Sequence, residues 1–308
     1  MSIMEAPDVG DPGAGFEGWE PRTVVESDDV TPGAALALHG LLDAPGAAPA
    51  DGEPLPMLWH WLAFLPRVPQ SELGDDGHPR LGSFLPPVAL PRRMFAGARL
   101  SMRRPLTVGA GLTRRGVVAS VRNRHGKSGE LCFVTVKYEI TDGRGGELEE
   151  EQDLVYLAAP RAPAAPGPPA ASHGEPGVEG EETDSDHAWA LDIEISSTLL
   201  FRFSALTYNA HRIHYDREFA RDIEGYPDLV VHGPLQAVLL AELCRRAAPD
   251  QPLEQFSFQA KSPAFQGGTM RFRGRPGDDG KVSLEARDDH GLVTMVADAT
   301  PALLPLND

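Results

Sequence analysis

Apolar and polar residues alternate along many short runs of the chain. These runs lie at residues 117–121, 131–140, 190–196, 256–260, 281–286 and 291–299. A period of two is typical of antiparallel strands that bury one face and expose the other to solvent. The pattern therefore predicts two groups of strands, one in each half of the chain.

Two stretches concentrate apolar residues as buried helices do, at 55–66 and 229–246. From residue 235 onward, the apolar positions of the second stretch recur at the i, i+3, i+4 and i+8 spacing of one helical face. Pro234 suits the first turn of this helix, where its missing N–H costs nothing. Few helices among many strands predict an α+β fold, with a sheet wrapped around one central helix in each half.

A segment of unusual composition, residues 159–188, divides the chain. Its first part is rich in Pro and Ala, and residues 172–188 hold six carboxylates and no Lys or Arg. Such a segment cannot offset its ordering entropy by burying apolar surface, so we interpret it as a linker. We predict a disordered N-terminus at 1–18, an N-terminal half at 19–158 and a C-terminal half at 189–308.

The two halves share a short internal repeat. Residues 105–116 and 263–274 align without gaps, and Pro, Gly, a long apolar residue, Arg and Gly coincide at a constant offset of 158. Both segments precede predicted strands. The repeat indicates two folds of the same kind in one chain.

Charge and cysteine content disfavour several classes of protein. Lys and Arg number 28 against 45 Asp and Glu, and a net charge of −17 disfavours nucleic-acid binding. No apolar stretch is long enough to span a bilayer, and the N-terminus lacks the features of a signal peptide, so we predict a cytoplasmic protein that binds no membrane. Cys132 and Cys244 lie far apart without a metal-binding motif, which disfavours a disulfide framework and a zinc site.

The densest polar cluster in an apolar setting lies in the C-terminal half. Asn209, His211 and His214 fall within six residues, and His232 and Gly233 precede the predicted helix. The first backbone N–H groups of a helix have no partner within it and favour negative charge, so they suit a carbonyl oxygen that gains charge. A histidine base beside such a helix start is the minimum needed for proton chemistry next to an acyl carbonyl.

Here the chain resembles MaoC-like (R)-specific enoyl-thioester hydratases, whose signature is roughly Phe/Tyr-x-x-Leu-Ser-Gly-Asp-x-Asn-Pro-Ile-His-x-Asp. Laid on this pattern, Tyr208 falls at the Gly, Asn209 at the catalytic Asp, His214 at the catalytic His and Asp216 at the last Asp. Residues 231–235 resemble the His-Gly entry to that family's central helix. The form of the motif is similar to a branch that includes mesaconyl-CoA hydratase-like proteins.

The resemblance implies a double hot-dog fold, α+β, with two antiparallel sheets each wrapped around a central helix. It implies that His214 acts as general base and acid while Asn209 orients water, because an amide cannot take up a proton. It also implies an oxyanion site at Gly233. We interpret residues 67–91 of the N-terminal half, which lengthen the helix-to-strand gap, as an inserted flap over the acyl site.

The roles of the neighbouring residues are left open by the sequence. His211 either supports His214 or is a strand residue, and Arg212 either contacts a CoA phosphate or is solvated. His232 either contacts substrate or packs at the helix start. Tyr208 either blocks the pocket or shapes it.

We therefore predict a hydratase or dehydratase acting on the α,β double bond of an acyl thioester, mesaconyl- and itaconyl-CoA types included. No metal and no other cofactor is expected, and the chain is expected to be a monomer or a homodimer. The alternatives are a hot-dog thioesterase and a non-catalytic protein that binds acyl thioesters or acts as a scaffold. CoA and acyl carrier protein are both open as carriers of the acyl group.

Overall fold

A computed structural model of the chain describes residue 16 and residues 18–126, 129–158 and 188–302. The N-terminal half contains β1 (Val24–Asp29), α1 (Pro32–Leu41), 3-10 turns at Trp59–Leu62 and Gln70–Glu72, β2 (Arg92–Arg104), β3 (Gly111–Gly126), β4 (Gly129–Asp142) and β5 (Glu147–Leu157). Apart from residues 16, 18 and 188, the predicted disordered N-terminus at 1–18 and the predicted linker at 159–188 lie outside the described residues.

The C-terminal half repeats this order of elements. It contains β6 (Trp189–Glu194), α2 (Ser197–Leu206), a 3-10 turn (Arg212–His214), one turn of π-helix (Phe219–Ile223), α3 (Gly233–Ala247), β7 (Leu253–Ala260), β8 (Thr269–Pro276), β9 (Val282–Arg287) and β10 (Val293–Pro301). No helix in the described part of the chain is both long and apolar enough to cross a membrane.

All ten strands form one antiparallel sheet in the order β1-β3-β4-β5-β2-β7-β10-β9-β8-β6. The order is symmetric about the β2–β7 pair, where Arg99 lies opposite Ser257 and 158 positions from it. The predicted double hot-dog fold is confirmed, and the two predicted sheets are joined edge to edge through β2 and β7. This pairing covers two edges that would otherwise expose unpaired backbone groups.

The repeat predicted from the sequence is confirmed by equivalent backbone hydrogen bonds. The amide of Leu55 donates to the carbonyl of Leu106 at 2.7 Å, and that of Val231 donates to Ala264 at 2.8 Å. The two carbonyls are offset by 158 residues, as are the first residues of β3 and β8. Val231 is thus the equivalent of Leu55.

A second correspondence, at an offset of 165 residues, relates β1 and α1 to β6 and α2. Thr31 caps α1 by accepting from the amide of Ala34 at 3.1 Å, and Ser196 caps α2 by accepting from Leu199 at 3.1 Å. Each cap satisfies an amide that the first helical turn leaves unpaired. Both helices then end in a left-handed residue at the equivalent position, with φ 48° at Asp43 and 51° at Tyr208.

The halves diverge in the segment that follows. The amide of Ala44 donates to His39 and that of Asn209 to Ser204, which makes Ala44 the equivalent of Asn209. The next pair of equivalent residues is Glu53 and Leu229, whose carbonyls accept from the amides of Val108 and Gln266. The N-terminal half reaches Glu53 in nine residues, whereas the C-terminal half reaches Leu229 in twenty. The eleven additional residues belong to the predicted chemical segment, so one half alone carries it.

The central helices also differ. The predicted helix at 229–246 is confirmed as α3, whose residues 235–244 are all buried. The predicted helix at 55–66 is wrong, because only a 3-10 turn forms there. Pro56 and Pro66 disfavour helical geometry in the residues before them, and Leu58 has a left-handed φ of 72°. The remaining length is too short to sustain a helix.

Candidate active site

A cavity of about 1350 Å³ lies where the two halves meet. The N-terminal half contributes residues of the 61–96 segment, and the C-terminal half contributes residues from 201–215 and 230–236. The loop interpreted as a flap lies along this cavity. Its volume is above the range usual for small-molecule pockets, about 300–1,000 Å³, so it suits a large ligand.

His214 lies on the cavity wall at the end of the 3-10 turn. Its Nδ1 is 2.7 Å from the carbonyl oxygen of Val230. A carbonyl can only accept a hydrogen bond, so Nδ1 carries the hydrogen and Nε2 retains its lone pair. Burial lowers the pKa of His214 to about 4, aided by the charge of His78 and opposed by the Val230 hydrogen bond. The imidazole is therefore neutral at physiological pH and able to accept a proton.

His232 packs directly behind His214. The two rings are stacked, with centroids 3.7 Å apart and planes at 21°. The Nε2 of His232 is 2.8 Å from the hydroxyl of Ser204, and the side chain is fully buried at the start of α3. His232 is absent from the described residues that line the cavity, so the structure favours the packing alternative for it.

Asn209 and Tyr208 both line the cavity, immediately after α2. The side-chain carbonyl of Asn209 accepts from the amide of His211 at 3.0 Å, which leaves its NH₂ group to donate. Tyr208 adopts the left-handed backbone that glycine adopts most readily, and its side chain is 57% exposed. Tyr208 thus adopts, at the position of the Gly in the hydratase signature, a conformation that costs a non-glycine residue more than it costs glycine.

His211 lies on the cavity wall between His214 and the inserted loop. Its ring centroid is 5.4 Å from that of His214 and 4.1 Å from that of His78. Burial, together with the charges of His78 and His214, lowers the pKa of His211 to about 2. A neutral His211 in contact with both rings favours the supporting alternative.

Arg212 points away from the cavity. Its Nε and Nη2 both donate to Asp216, at 3.0 and 2.7 Å, and Nη1 donates to the carbonyl of Asp75 at 3.1 Å. The guanidinium also lies over the ring of Phe219. Arg212 thus fastens the motif to the inserted loop, and its predicted contact with a CoA phosphate stays a prediction.

The inserted loop brings Asp76 and His78 to the cavity, two residues that sequence reasoning missed. Their side chains lie 2.8 Å apart, and the backbone carbonyl of Asp76 accepts from the amide of Arg212 at 2.9 Å. Burial raises the pKa of Asp76, but hydrogen bonding and the charge of His78 together lower it to about 2. The Asp-Asp-Gly-His sequence at 75–78 was the available signal.

Asp76, His78 and His211 also offer ligand atoms that all lie within 4.8 Å of one another. Neutral imidazoles and an ionised carboxylate are suitable metal ligands by type. Asp76 and His78 already form a hydrogen bond to each other without an ion. The prediction that no metal takes part therefore stays a prediction.

The N-terminus of α3 faces the same cavity through Gly233 and Pro234. A 15-residue helix leaves its first amides without partners inside the helix. Gly233 adds no side chain in front of them, and a methyl group there would come within 3.7 Å of the carbonyl of Phe95. These groups could bind an oxygen atom that becomes negatively charged.

Comparisons with known proteins agree with this geometry. Residues 58–266 match the family model described as hydroxyacyl-thioester dehydratase type 2. The chain is 45% identical over 284 residues to a mesaconyl-C(4)-CoA hydratase of Chloroflexus aurantiacus, covering 92% of this chain and 97% of that protein. A match of this extent includes both halves and the motif between residues 208 and 216.

Solved structures agree on the fold. A MaoC-like dehydratase superposes with a TM-score of 0.65 at 15% identity, covering 92% of this chain and 98% of that one. A Mycobacterium tuberculosis protein described as having a double hot-dog fold superposes with a TM-score of 0.52 at 16% identity, covering 92% and 96%. The chain therefore belongs to the hydroxyacyl-thioester dehydratase type 2 family and is a MaoC-like hydro-lyase acting on an acyl thioester.

Proposed function

We propose that this enzyme adds water across the α,β double bond of a mesaconyl-type CoA thioester, or removes water in the reverse direction. One observation carries the assignment of the chemistry: the buried, neutral imidazole of His214, fixed through Nδ1 with its other nitrogen free to act as a base. The identity to a mesaconyl-C(4)-CoA hydratase over nearly the whole chain supports the substrate class.

In the proposed mechanism the first amides of α3, at Gly233, bind the thioester oxygen. The NH₂ group of Asn209 orients a water molecule, and His214 removes its proton as the oxygen bonds to the β-carbon. The electron pair of the double bond moves to the enolate, whose oxygen the helix N-terminus stabilises. The imidazolium of His214 then returns the proton to the α-carbon, so one O–H bond is broken and one C–O and one C–H bond are formed.

The missing carboxylate of the signature is compensated, in this proposal, by the inserted loop. Asn209 cannot exchange a proton, but Asp76 fixes His78 against His211, which in turn contacts His214. This row of contacting rings holds His214 in place. We propose His78 and His211 as positioning residues and His214 as the catalytic one.

The charge of the cavity supports CoA as the carrier of the acyl group. Among the described residues, six basic side chains line it against four acidic ones, although the chain as a whole has a net charge of −17. The excess of positive charge favours an anionic ligand such as a CoA thioester with its phosphates. The thioester itself stabilises the enolate, so the proposed reaction needs no metal or redox cofactor. A cytoplasmic location, and a monomeric or homodimeric state, stay predictions.

The proposal is tested by incubating the purified chain with mesaconyl-C4-CoA, itaconyl-CoA and crotonyl-CoA. Gain of the mass of one water, with loss of enone absorbance, is the expected result for at least the mesaconyl thioester. Release of free thiol would indicate a thioesterase instead. Tight binding without conversion of any thioester would indicate a non-catalytic protein.

The pH dependence of the reaction should reflect the low pKa of His214. A base must be unprotonated to accept the proton of water, and His214, whose pKa is lowered to about 4, takes up a proton only as the pH falls toward that value. We expect kcat/KM to be constant from about pH 6 to pH 8 and to fall only as the pH drops below about 5. The measurement is the initial loss of enone absorbance across this range. A fall centred near 6.5 would instead indicate a solvated imidazole as the base.

Gly77 is predicted to be essential for placing the inserted loop. Its φ is 89°, and a Cβ there would lie 1.9 Å from the carbonyl oxygen of Ala210. Gly77→Ala should displace Asp76 and His78 from His211 and lower kcat by about 100-fold, since small misplacements in an active site have effects of this size. Gly82→Ala is the matched control, because Gly82 also has a positive φ, 101°, but has room for a methyl group. Equal losses in both variants would show that loop strain alone, without the contact to Ala210, explains the effect.

A further inference from the structure

Two guanidinium groups of the described cavity lining, those of Arg93 and Arg80, form no ion pair, and of the two only Arg93 is half-buried. The cavity-lining arginines that form ion pairs are Arg67 with Asp28 at 2.7 Å, Arg92 with Glu224 at 3.0 Å and Arg114 with Glu26 at 2.6 Å. Arg93 lines the same cavity, and within the described parts of the chain no carboxylate lies within 4.0 Å of it. The fourth acidic residue of the lining, Asp76, is engaged by His78.

Arg93 lies at the end of the cavity that holds the histidines. It sits at the start of β2, opposite Tyr156 on β5. Its charge adds to burial in lowering the pKa of both His78 and His211, which places the guanidinium within electrostatic reach of the two rings. The charge of Arg93, together with a side-chain hydrogen bond, also opposes the rise in pKa that burial causes at Tyr156, which lies outside the described cavity lining. Within the site, His78 and His211 both lie within electrostatic reach of Arg93.

A half-buried arginine without a carboxylate is costly, because a partly desolvated charge loses hydration without gaining an ion pair. A guanidinium also has a planar set of donors that matches a carboxylate through two parallel hydrogen bonds. A carboxylate supplied by the substrate would satisfy both conditions. The phosphates of CoA are a less suitable partner, because they are remote from the reacting double bond that His214 must reach.

We propose that Arg93 binds the free carboxylate of a dicarboxylic enoyl thioester and thereby selects such substrates over simple enoyl thioesters. The inference rests on the proposed function, in which the substrate is of the mesaconyl type. In a mesaconyl-C4 thioester the free carboxylate is attached to the β-carbon, the atom that water attacks. An ion pair with Arg93 would therefore hold that carbon at the histidine end of the cavity and orient it toward the base.

The test compares two thioesters in the same variants. Mesaconyl-C4-CoA has the carboxylate, whereas crotonyl-CoA has no carboxylate on its β-carbon. Arg93→Gln should lower kcat/KM for the mesaconyl thioester by about 100-fold and that for crotonyl-CoA by less than about threefold. Arg93→Lys keeps the charge but not the paired donors, so its kcat/KM should fall about tenfold for the mesaconyl thioester and stay unchanged for crotonyl-CoA. If Arg93→Gln does not fold, Arg93→Lys decides the question by itself.

Arg80→Gln is the matched control. Arg80 is an exposed arginine of the same cavity lining. Its replacement should therefore change kcat/KM for both thioesters by the same factor. An unchanged preference for the mesaconyl thioester in the Arg93 variants, with an active wild type, would overturn the role of Arg93 and leave the proposed function intact. A wild type that hydrates crotonyl-CoA but not the mesaconyl thioester would overturn the proposed substrate class, and the role of Arg93 with it.

Discussion

Replacing His214 by alanine is expected to lower kcat for hydration about 1000-fold or more. The variant removes an imidazole that, alone among the described histidines of the cavity wall, is fixed by a backbone carbonyl and free at its second nitrogen. Removal of a general acid–base group costs about 10²- to 10⁴-fold. His214 takes part in both proton transfers of the proposed mechanism, so the loss should fall in the upper part of this range. The measurement is the rate of loss of enone absorbance at saturating thioester.

Two further variants separate chemistry from folding. His214→Asn places an amide N–H donor where Nδ1 lies, so it can keep the hydrogen bond to the carbonyl of Val230 but cannot take up a proton, and it should be as inactive as the alanine variant and more stable. His290→Ala removes a solvent-exposed histidine of the same half and should leave the rate unchanged. Retention of more than about a tenth of the activity in both His214 variants would transfer the role of base to His211 or His78.

The sequence predicted the part of the site that is local in the chain. Asn209, His211 and His214 lie within one short segment, and Gly233 starts a helix whose apolar spacing is regular, so their proximity follows from local structure. Asp76, His78 and Arg93 were missed because they reach the site through tertiary contacts more than 100 positions away in sequence. A histidine after Asp-Asp-Gly in an inserted loop is weak as a local signal, since the same sequence suits an ordinary exposed turn.

The fold shows a similar division between what local sequence determines and what it does not. The repeat at an offset of 158 was visible because Pro and Gly residues are needed at equivalent turns. The second correspondence, at 165, was not visible, since Thr31 and Ser196 cap their helices through side chains that differ in identity. The false helix at 55–66 arose because apolar content was considered without the two prolines that flank the 3-10 turn.

Glu150→Ala is expected to reduce the free energy of unfolding by about 3–5 kcal/mol, because it removes a buried carboxylate and leaves its hydrogen-bond donors without a partner. Glu150 and His60 are each 2% exposed, with Oε2 and Nε2 3.0 Å apart. Trp61 and Gln152 each donate to the other carboxylate oxygen at 2.9 Å. Trp61 and Gln152 also line the cavity, so activity should fall together with stability. Urea denaturation at neutral pH measures the change in stability.

Glu151→Ala is the matched control, one position along the same strand. Glu151 is 43% exposed and pairs with Arg99 at the surface, so its loss should cost less than about 1 kcal/mol.

The contribution of Glu150 to stability should also depend on pH. Burial raises the pKa of Glu150, but the charge and hydrogen bond of His60, with the bonds from Gln152 and Trp61, lower it overall from 4.5. A carboxyl group whose pKa is lowered in the folded state stabilises the fold above its unfolded pKa and loses that effect as the pH falls through the folded value. The difference in free energy of unfolding between wild type and Glu150→Gln should therefore be largest near neutral pH and become smaller below about pH 4.5. A difference that does not change with pH would show that Glu150 stabilises the fold through packing and not through its charge.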